Sequence, residues 1–286
     1  MSHGTRIEVA AGFALNVERM GTSEGTPLVL LHGFTGSSDA WGKFGELLAQ
    51  AMPILAVDIV GHGDSDAPTS LDHYRMCTAA ADVVAAVERS GFARANWLGY
   101  SMGGRLALHV ASAHPESVER LVLIGASPGI ESERERLARV AADELLVGQI
   151  ERDGVRPFID YWESIALFAT QRALPAETRR AIRAGRLKNS RTGLANSLRG
   201  MGAGAQDALH DQLGGLTLPA LVLAGEADAK YTAIACEIAS RMPCARAAIV
   251  PGAGHAAQLE QPERCAAEVL AFLASTTHTT SEGATP

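Results

Sequence analysis

Short apolar runs, one of them interrupted by Asn96, are separated by stretches of helical period and set the rhythm of this chain. Pro27–Leu31, Ile54–Asp58, Ala95–Leu98, Arg120–Gly125 and Leu218–Gly225 each read as a strand covered on both faces, and Arg246–Val250 as a last strand. Between them Trp41–Met52, Thr78–Arg89, Gly104–Ala111, Thr232–Met242 and Pro262–Ala274 read as helices, the last opening on a proline suited to a first turn. Arg6–Met20 alternates loosely around Ala11-Gly12, which suggests an antiparallel hairpin. Strands and helices in such regular alternation imply right-handed crossovers and a mostly parallel sheet. The alternation stops once. From about Ile130 to Gly215 the chain looks helical throughout, with no convincing strand. The expected organisation is an α/β core from 1–129 and 216–275, a helical cap (a lid) over 130–215, and a disordered tail at 276–286, rich in Thr, Ser and Gly. An insertion following a strand stands where open α/β sheets bind their ligands.

The densest chemistry lies at Gly99-Tyr100-Ser101-Met102-Gly103, between an expected strand and an expected helix. A serine hydroxyl is a poor nucleophile until it stands clear of the backbone and meets a base. A tight strand-to-helix turn achieves this, and side chains two residues to either side would crowd it; both positions are Gly. Candidate bases well past this turn are His210, His255 and His278. Of these, His255 follows the final strand, in Gly252-Ala253-Gly254-His255. For the acid that orients the base, Asp228 stands just after the strand ending at Gly225, with Glu226 as its rival. The expected row is Ser101, His255 and Asp228. Backbone N–H groups of Met102 and of Phe34, in the Gly-rich His32–Gly36 segment, would form an oxyanion hole, aided by the positive end of the following helix.

Composition narrows the field. The 286 residues are 47% hydrophobic, enough for one large core, and the net charge of −7 argues against a nucleic-acid binder. No apolar run is long enough to span a bilayer, and Met1–Glu8 lacks the apolar stretch of a signal peptide. Cys77, Cys236, Cys244 and Cys265 show no metal or redox spacing, so a cytoplasmic location is expected. His62, in Gly61-His62-Gly63, has no second ligand nearby and suggests no metal.

Charge is unevenly spread. The 130–215 segment holds thirteen of the 25 Lys and Arg, and from Arg172 to Arg199 a run of cations faces one acid, Glu177. Arg105 sits one turn past Ser101, and Lys230 two residues past Asp228. Cations from three segments suggest a carboxylate-bearing substrate. Tyr161, Trp162 and Phe168 cluster in an aromatic-poor chain, as cavity wall or as packing.

The motifs Leu31–Gly36, Gly61-His62-Gly63, Gly99–Arg105 and Gly252–His255 resemble the α/β-hydrolase superfamily. The form Gly-Tyr-Ser-Met-Gly-Gly-Arg, with Asp160–Glu163, Gly193–Gly202 and Gly225–Lys230, resembles the 2-succinyl-6-hydroxy-2,4-cyclohexadiene-1-carboxylate (SHCHC) synthases of menaquinone biosynthesis, from Arg6 to Ala274. The resemblance implies an α/β-hydrolase fold and a lyase that eliminates pyruvate from a polycarboxylate cyclohexene intermediate, without metal or organic cofactor. Ser101 would then serve in proton abstraction, and the oxyanion hole would hold the charge of an extended dienolate. Tyr100, Arg105, Trp162 and Lys230 match pocket positions. Arg186 is a further match with Lys188 as competitor, and Arg139 one with Arg134 and Arg136 as competitors. A serine hydrolase acting on esters or C–C bonds would use the same row, and a non-catalytic binding protein could share the fold.

Overall fold

The computed structural model describes residues 4–22 and 24–275; the expected 276–286 tail lies outside the described residues. Eight strands form one sheet: β1 (Thr5–Ala10), β2 (Phe13–Met20), β3 (Leu28–Leu31), β4 (Ile54–Val57), β5 (Ala95–Tyr100), β6 (Val118–Ile124), β7 (Ala220–Gly225) and β8 (Ala245–Val250). Their order is β1-β2-β4-β3-β5-β6-β7-β8. β2 pairs antiparallel with β1 and β4, and every other pairing is parallel. The hairpin and the parallel body both follow the sequence expectation, and every residue of β3, β4 and β7 is buried, as their unbroken apolar runs require.

The core helices are α1 (Gly42–Ala49), α2 (Met76–Arg89), α3 (Met102–Ala113), α8 (Ala229–Arg241), α9 (Ala257–Glu260) and α10 (Pro262–Ala274). Between β6 and β7 lie α4 (Glu133–Asp153), α5 (Val155–Ser164), α6 (Ala176–Arg186) and α7 (Arg191–Met201), with no strand among the described residues. One face of the sheet packs on α2 and α3, the other on α1 and α10. Local signals set the helix limits. Ser132 caps α4 by accepting from Glu135 N–H, Gly154 (φ 87°) separates α4 from α5, and Ser190 caps α7 by accepting from Gly193 N–H at 2.9 Å. Helices α2 and α3 each start two residues before the sequence reading, at Met76 and Met102, and two further starts differ for a visible reason. Helix α1 begins at Gly42, because Ser38–Trp41 forms a tighter 3-10 turn. Helix α8 begins at Ala229 rather than Thr232, because Asp228 caps it.

The inserted helices have their own small core of Val147, Ile150, Phe158, Ile159, Leu194 and Leu198. Helix α7 lies hard against the body. A Cβ on Gly193 would stand 1.9 Å from Gly61 O, so only two glycines permit this approach. Asn196 Nδ2 donates to the carbonyls of Pro68 and Thr69, and Asn189 Nδ2 to Thr35 O.

Candidate active site

Ser101 joins β5 to α3 with φ 52° and ψ −110°, a left-handed backbone that a non-glycine residue holds at a cost of about 1–3 kcal/mol. The neighbouring glycines make the turn possible. A Cβ on Gly99 would lie 2.2 Å from Gly103 O, and one on Gly103 would lie 2.0 Å from Leu31 O. The turn thus presses the first residues of α3 against the end of β3 and leaves Ser101 projecting from the sheet.

Ser101, His255 and Asp228, from three loops at the same end of the sheet, form one hydrogen-bonded row. His255 Nε2 is 3.0 Å from Ser101 Oγ, and His255 Nδ1 is 2.8 Å from Asp228 Oδ2. Asp228 is held from its other side, its Oδ1 accepting from Tyr231 N–H at 3.3 Å. The helix cap and the partner of the imidazole are therefore one carboxylate. Glu226, the rival, instead accepts from Gly252 N–H at 2.9 Å, in the loop leading to His255. The His255 ring is buried among Tyr231, Tyr100 and Phe168, with centroids 4.5, 5.5 and 6.1 Å away. In such a row the hydroxyl can pass its proton to the imidazole while the carboxylate fixes the tautomer and steadies the imidazolium.

The His32–Gly36 segment is braced from beneath. His32 Nδ1–H donates to Gly33 O at 2.8 Å, and Nε2 accepts from Ile59 N–H at 3.0 Å. Burial pulls this imidazole down to about 4, so it stays neutral and can accept. His62 is buried 5.1 Å from the His32 ring; burial above all, and that neighbour, lower it to about 3. Both histidines serve the architecture. Among the described residues no group of three His, Cys, Asp or Glu could hold a metal ion, and no helix is long and apolar enough to cross a membrane.

A cavity of about 330 Å³ opens above Ser101. Phe34, Tyr100 and Met102 line it from the body, and Trp162 and Leu198 from the inserted helices. Its charged lining is Arg105, Arg139 and Arg186, with one acid, Asp143. Each arginine has a holder. Arg105 Nη1 donates to Gln206 Oε1, Arg139 Nε to Asp143 Oδ1 at 2.8 Å, and Arg186 Nη1 to Glu163 Oε1 at 3.2 Å. Burial lowers Arg105 to about 10, which leaves it charged at neutral pH, and also lowers Arg186. Burial pushes the Tyr100 phenol upward, so it stands in the wall as a neutral group.

The other cations fall elsewhere. Lys230 is exposed and outside the cavity lining, its ammonium 5.7 Å from the Tyr231 ring centroid. Lys188 pairs with Asp39 at 2.7 Å, away from the cavity. Arg136 donates to the carbonyls of Ile130 and Glu131, and Arg134 is exposed; Arg139 alone of these three lines the cavity. The run of cations facing one acid is a feature of sequence, not of space. Arg183 meets Asp160 and Glu163, and Arg199 meets Glu144 and Glu151, all acids from α4 and α5. Sequence reasoning missed Tyr231, Asp143, Gln206 and Glu260. Tyr231 was accessible as the third residue past a capping Asp. Glu260 gives no such signal, yet its carboxylate accepts from Gly254 N–H at 2.7 Å and from Thr170 Oγ at 3.0 Å, tying the His255 loop to the inserted segment.

Residues 26–262 match the family model described as alpha/beta hydrolase fold. A Bacillus subtilis protein provisionally named 2-succinyl-6-hydroxy-2,4-cyclohexadiene-1-carboxylate synthase is 39% identical, covering 94% of this chain and 98% of its own. The chain belongs to the SHCHC synthase family of α/β-hydrolase-fold proteins. The synthase of that name from Serratia proteamaculans is 30% identical, over 91% of this chain and 98% of its own. The structure of MenH from S. aureus superposes with a TM-score of 0.84 at 29% identity, covering 90% of this chain and 97% of that one.

Proposed function

We propose that this protein is a cofactor-independent lyase of menaquinone biosynthesis, which eliminates pyruvate from a polycarboxylate cyclohexene intermediate to give SHCHC. The observation that carries this reading is that Arg105, Arg139 and Arg186 line one cavity with Ser101, the outer member of the Ser101–His255–Asp228 row. Family membership supports it. Three guanidinium groups are poorly suited to a neutral ester and well suited to several carboxylates.

His255 draws the proton from Ser101 Oγ, and the oxygen removes a proton from a ring carbon. The electron pair left there moves through the conjugated system, and the developing negative charge rests on an oxygen facing the N–H groups of Phe34 and Met102. The ring C–O bond to the three-carbon substituent then breaks, a second ring double bond forms, and the departing enolate takes a proton to become pyruvate. Arg105, Arg139 and Arg186 hold carboxylates, Tyr100 and Trp162 shape the wall, and Lys230 draws anions from outside it. The segment 130–215 works as the cap over the core of 1–129 and 216–275, and the enzyme acts in the cytoplasm.

The test is pyruvate formation from the cyclohexene substrate, followed by a coupled assay. The wild-type protein should release one pyruvate per ring product, and Ser101→Ala should lose at least about 10³-fold in kcat. No pyruvate release, with rapid turnover of aryl esters and covalent labelling of Ser101, would instead identify a serine hydrolase using the same row.

A further inference from the structure

The acids of α4 and α5 that answer Arg183 and Arg199 leave three cations of the 172–199 run over. Arg172, Arg179 and Arg180 are exposed, and their side chains make no ion pair or hydrogen bond among the described residues. With Arg183 and Arg186 they line a second cavity, of about 360 Å³, whose lining includes one acid, Glu163. Both oxygens of that acid are taken, Oε1 by Arg186 at 3.2 Å and Oε2 by Arg183 at 2.8 Å. The three outer guanidinium groups therefore face the hollow with no carboxylate of the protein to meet them.

Helix α6 sets this arrangement. Arg179, Arg180 and Arg186 each stand three or four residues from Arg183, and Arg172 comes from the last turn of the preceding 3-10 segment, Ala166–Ala173. Like charges at that spacing destabilise a helix. A solvated helix face usually avoids this by mixing signs, but the only acid of α6, Glu177, lies outside the cavity lining. The helix thus keeps an unfavourable charge arrangement that no contact within the protein relieves.

The hollow adjoins the catalytic cavity. Phe168 and Arg186 belong to both linings, the guanidinium 5.2 Å from the ring centroid, and the other side of the Phe168 environment is the His255 ring. Cations follow one another from the exposed rim, through half-buried Arg183 and buried Arg186, to Arg105 and Arg139 inside. The chain as a whole carries a net charge of −7, which repels an anion at long range. A concave positive patch reverses this locally, because its low-dielectric walls focus the field. The volume falls within the range of small-molecule sites, and arginines in number suit a ligand with several carboxylates.

We propose that this hollow is an outer receiving site for the polycarboxylate substrate. Arg172, Arg179 and Arg180 take its carboxylates from solution, and it passes Arg186 to reach Ser101. The identity of the ligand rests on the lyase reading above; the proposal extends that reading from the site to the way in.

The probe is trimesate, a six-membered ring with three carboxylates that cannot undergo the elimination, titrated calorimetrically at low salt. Two triple variants remove equal charge. Arg172→Gln/Arg179→Gln/Arg180→Gln strips the rim, and Arg75→Gln/Arg156→Gln/Arg264→Gln removes three exposed arginines that line neither cavity. The first should bind trimesate about ten-fold more weakly than wild type and the second within about two-fold, since the loss is of local charge-assisted contacts. Arg105→Ala, altered only in the inner cavity, should still bind it. The difference between the triple variants should close at about 0.5 M NaCl, where screening acts over only a few ångströms. With the cyclohexene substrate, the rim variant should lose kcat/KM and keep its kcat. Equal trimesate affinity in the two triple variants, loss of binding in Arg105→Ala, or no binding by the wild-type protein would overturn the proposal. Turnover of the cyclohexene substrate tests the lyase reading by itself, so trimesate can bind at the rim of a protein that is no lyase, and a lyase can prove indifferent to these three arginines.

Discussion

Ser101 and Arg105 lie four residues apart, on the turn and first coil of α3, and the geometry asks different things of them. Ser101 must hold a left-handed backbone, which Gly99 and Gly103 make sterically possible. Arg105 must keep its charge in a buried place, where desolvation already lowers it to about 10. The Gln206 side chain that holds it is neutral, so its charge stays available to a ligand. Arg139 and Arg186 are each already paired with a carboxylate, Asp143 and Glu163. Among the three cavity arginines, Arg105 should therefore contribute most to binding an anion. Replacing it with Ala should lower kcat/KM for the lyase reaction about 10- to 100-fold, the worth of one or two charge-assisted hydrogen bonds of about 1.5–3 kcal/mol. Hydrolysis of a neutral aryl ester, measured on the same preparation, should change less than about three-fold. Equal losses in the two assays would make Arg105 a structural residue. Arg105→Lys should recover only part of the lyase activity, since an ammonium lacks the bidentate fork.

At the scale of elements, strand runs and the chain order Ser101, Asp228, His255 were legible because each rests on local pattern. Buried strands are apolar runs, and the segment after each strand end carries the chemistry. The helical segment was legible as helix but not as a charge arrangement. Arg183 and Arg199 look unpaired along the chain, because their acids lie on α4 and α5, some 20 to 55 residues away. The close docking of α7 left no trace either, since Gly193 reads as a weak spot in a helix until Gly61 is brought opposite it. That contact can be tested. In Gly193→Ala the new Cβ meets backbone at 1.9 Å, so α7 must shift, at a typical overpacking cost of about 1–3 kcal/mol. Because Ser197, Leu198 and Met201 of the same helix line the cavity, catalytic efficiency should fall together with the melting temperature. Gly148→Ala, in α4, meets nothing within 4 Å and should leave activity alone while raising stability by up to about 1 kcal/mol. Differential scanning fluorimetry alongside the pyruvate assay separates the two outcomes, and equal behaviour of both variants would mean that α7 is free to move.

For the whole molecule the unusual feature is how many neutral imidazoles the core holds. Burial lowers His32 to about 4, His62 to about 3 and His109 to about 4, against 6.5 in an unfolded chain. None of the three is in the reactive row; His32 and His62 brace the 32–36 segment, and His109 lies on the inner face of α3. The sign of their contribution follows from proton counts. Between about 6.5 and about 4 the unfolded chain binds protons at these sites and the folded chain does not. Stability must then fall as the pH falls through that window, by on the order of 2 kcal/mol per histidine at pH 5. Asp82 and Asp143, whose carboxyls burial pushes upward, act in the opposite sense and offset part of this loss. Melting temperatures should therefore be flat from pH 8 to 7 and drop steeply from pH 6.5 to 5, before most carboxylates titrate. His109→Gln, which removes one of the three imidazoles without touching the reactive row, should flatten the drop by about a third of its depth. A melting temperature unchanged between pH 7 and 5 would mean that these rings take up protons without unfolding the chain, and that the segment beneath Phe34 is looser than its hydrogen bonds imply.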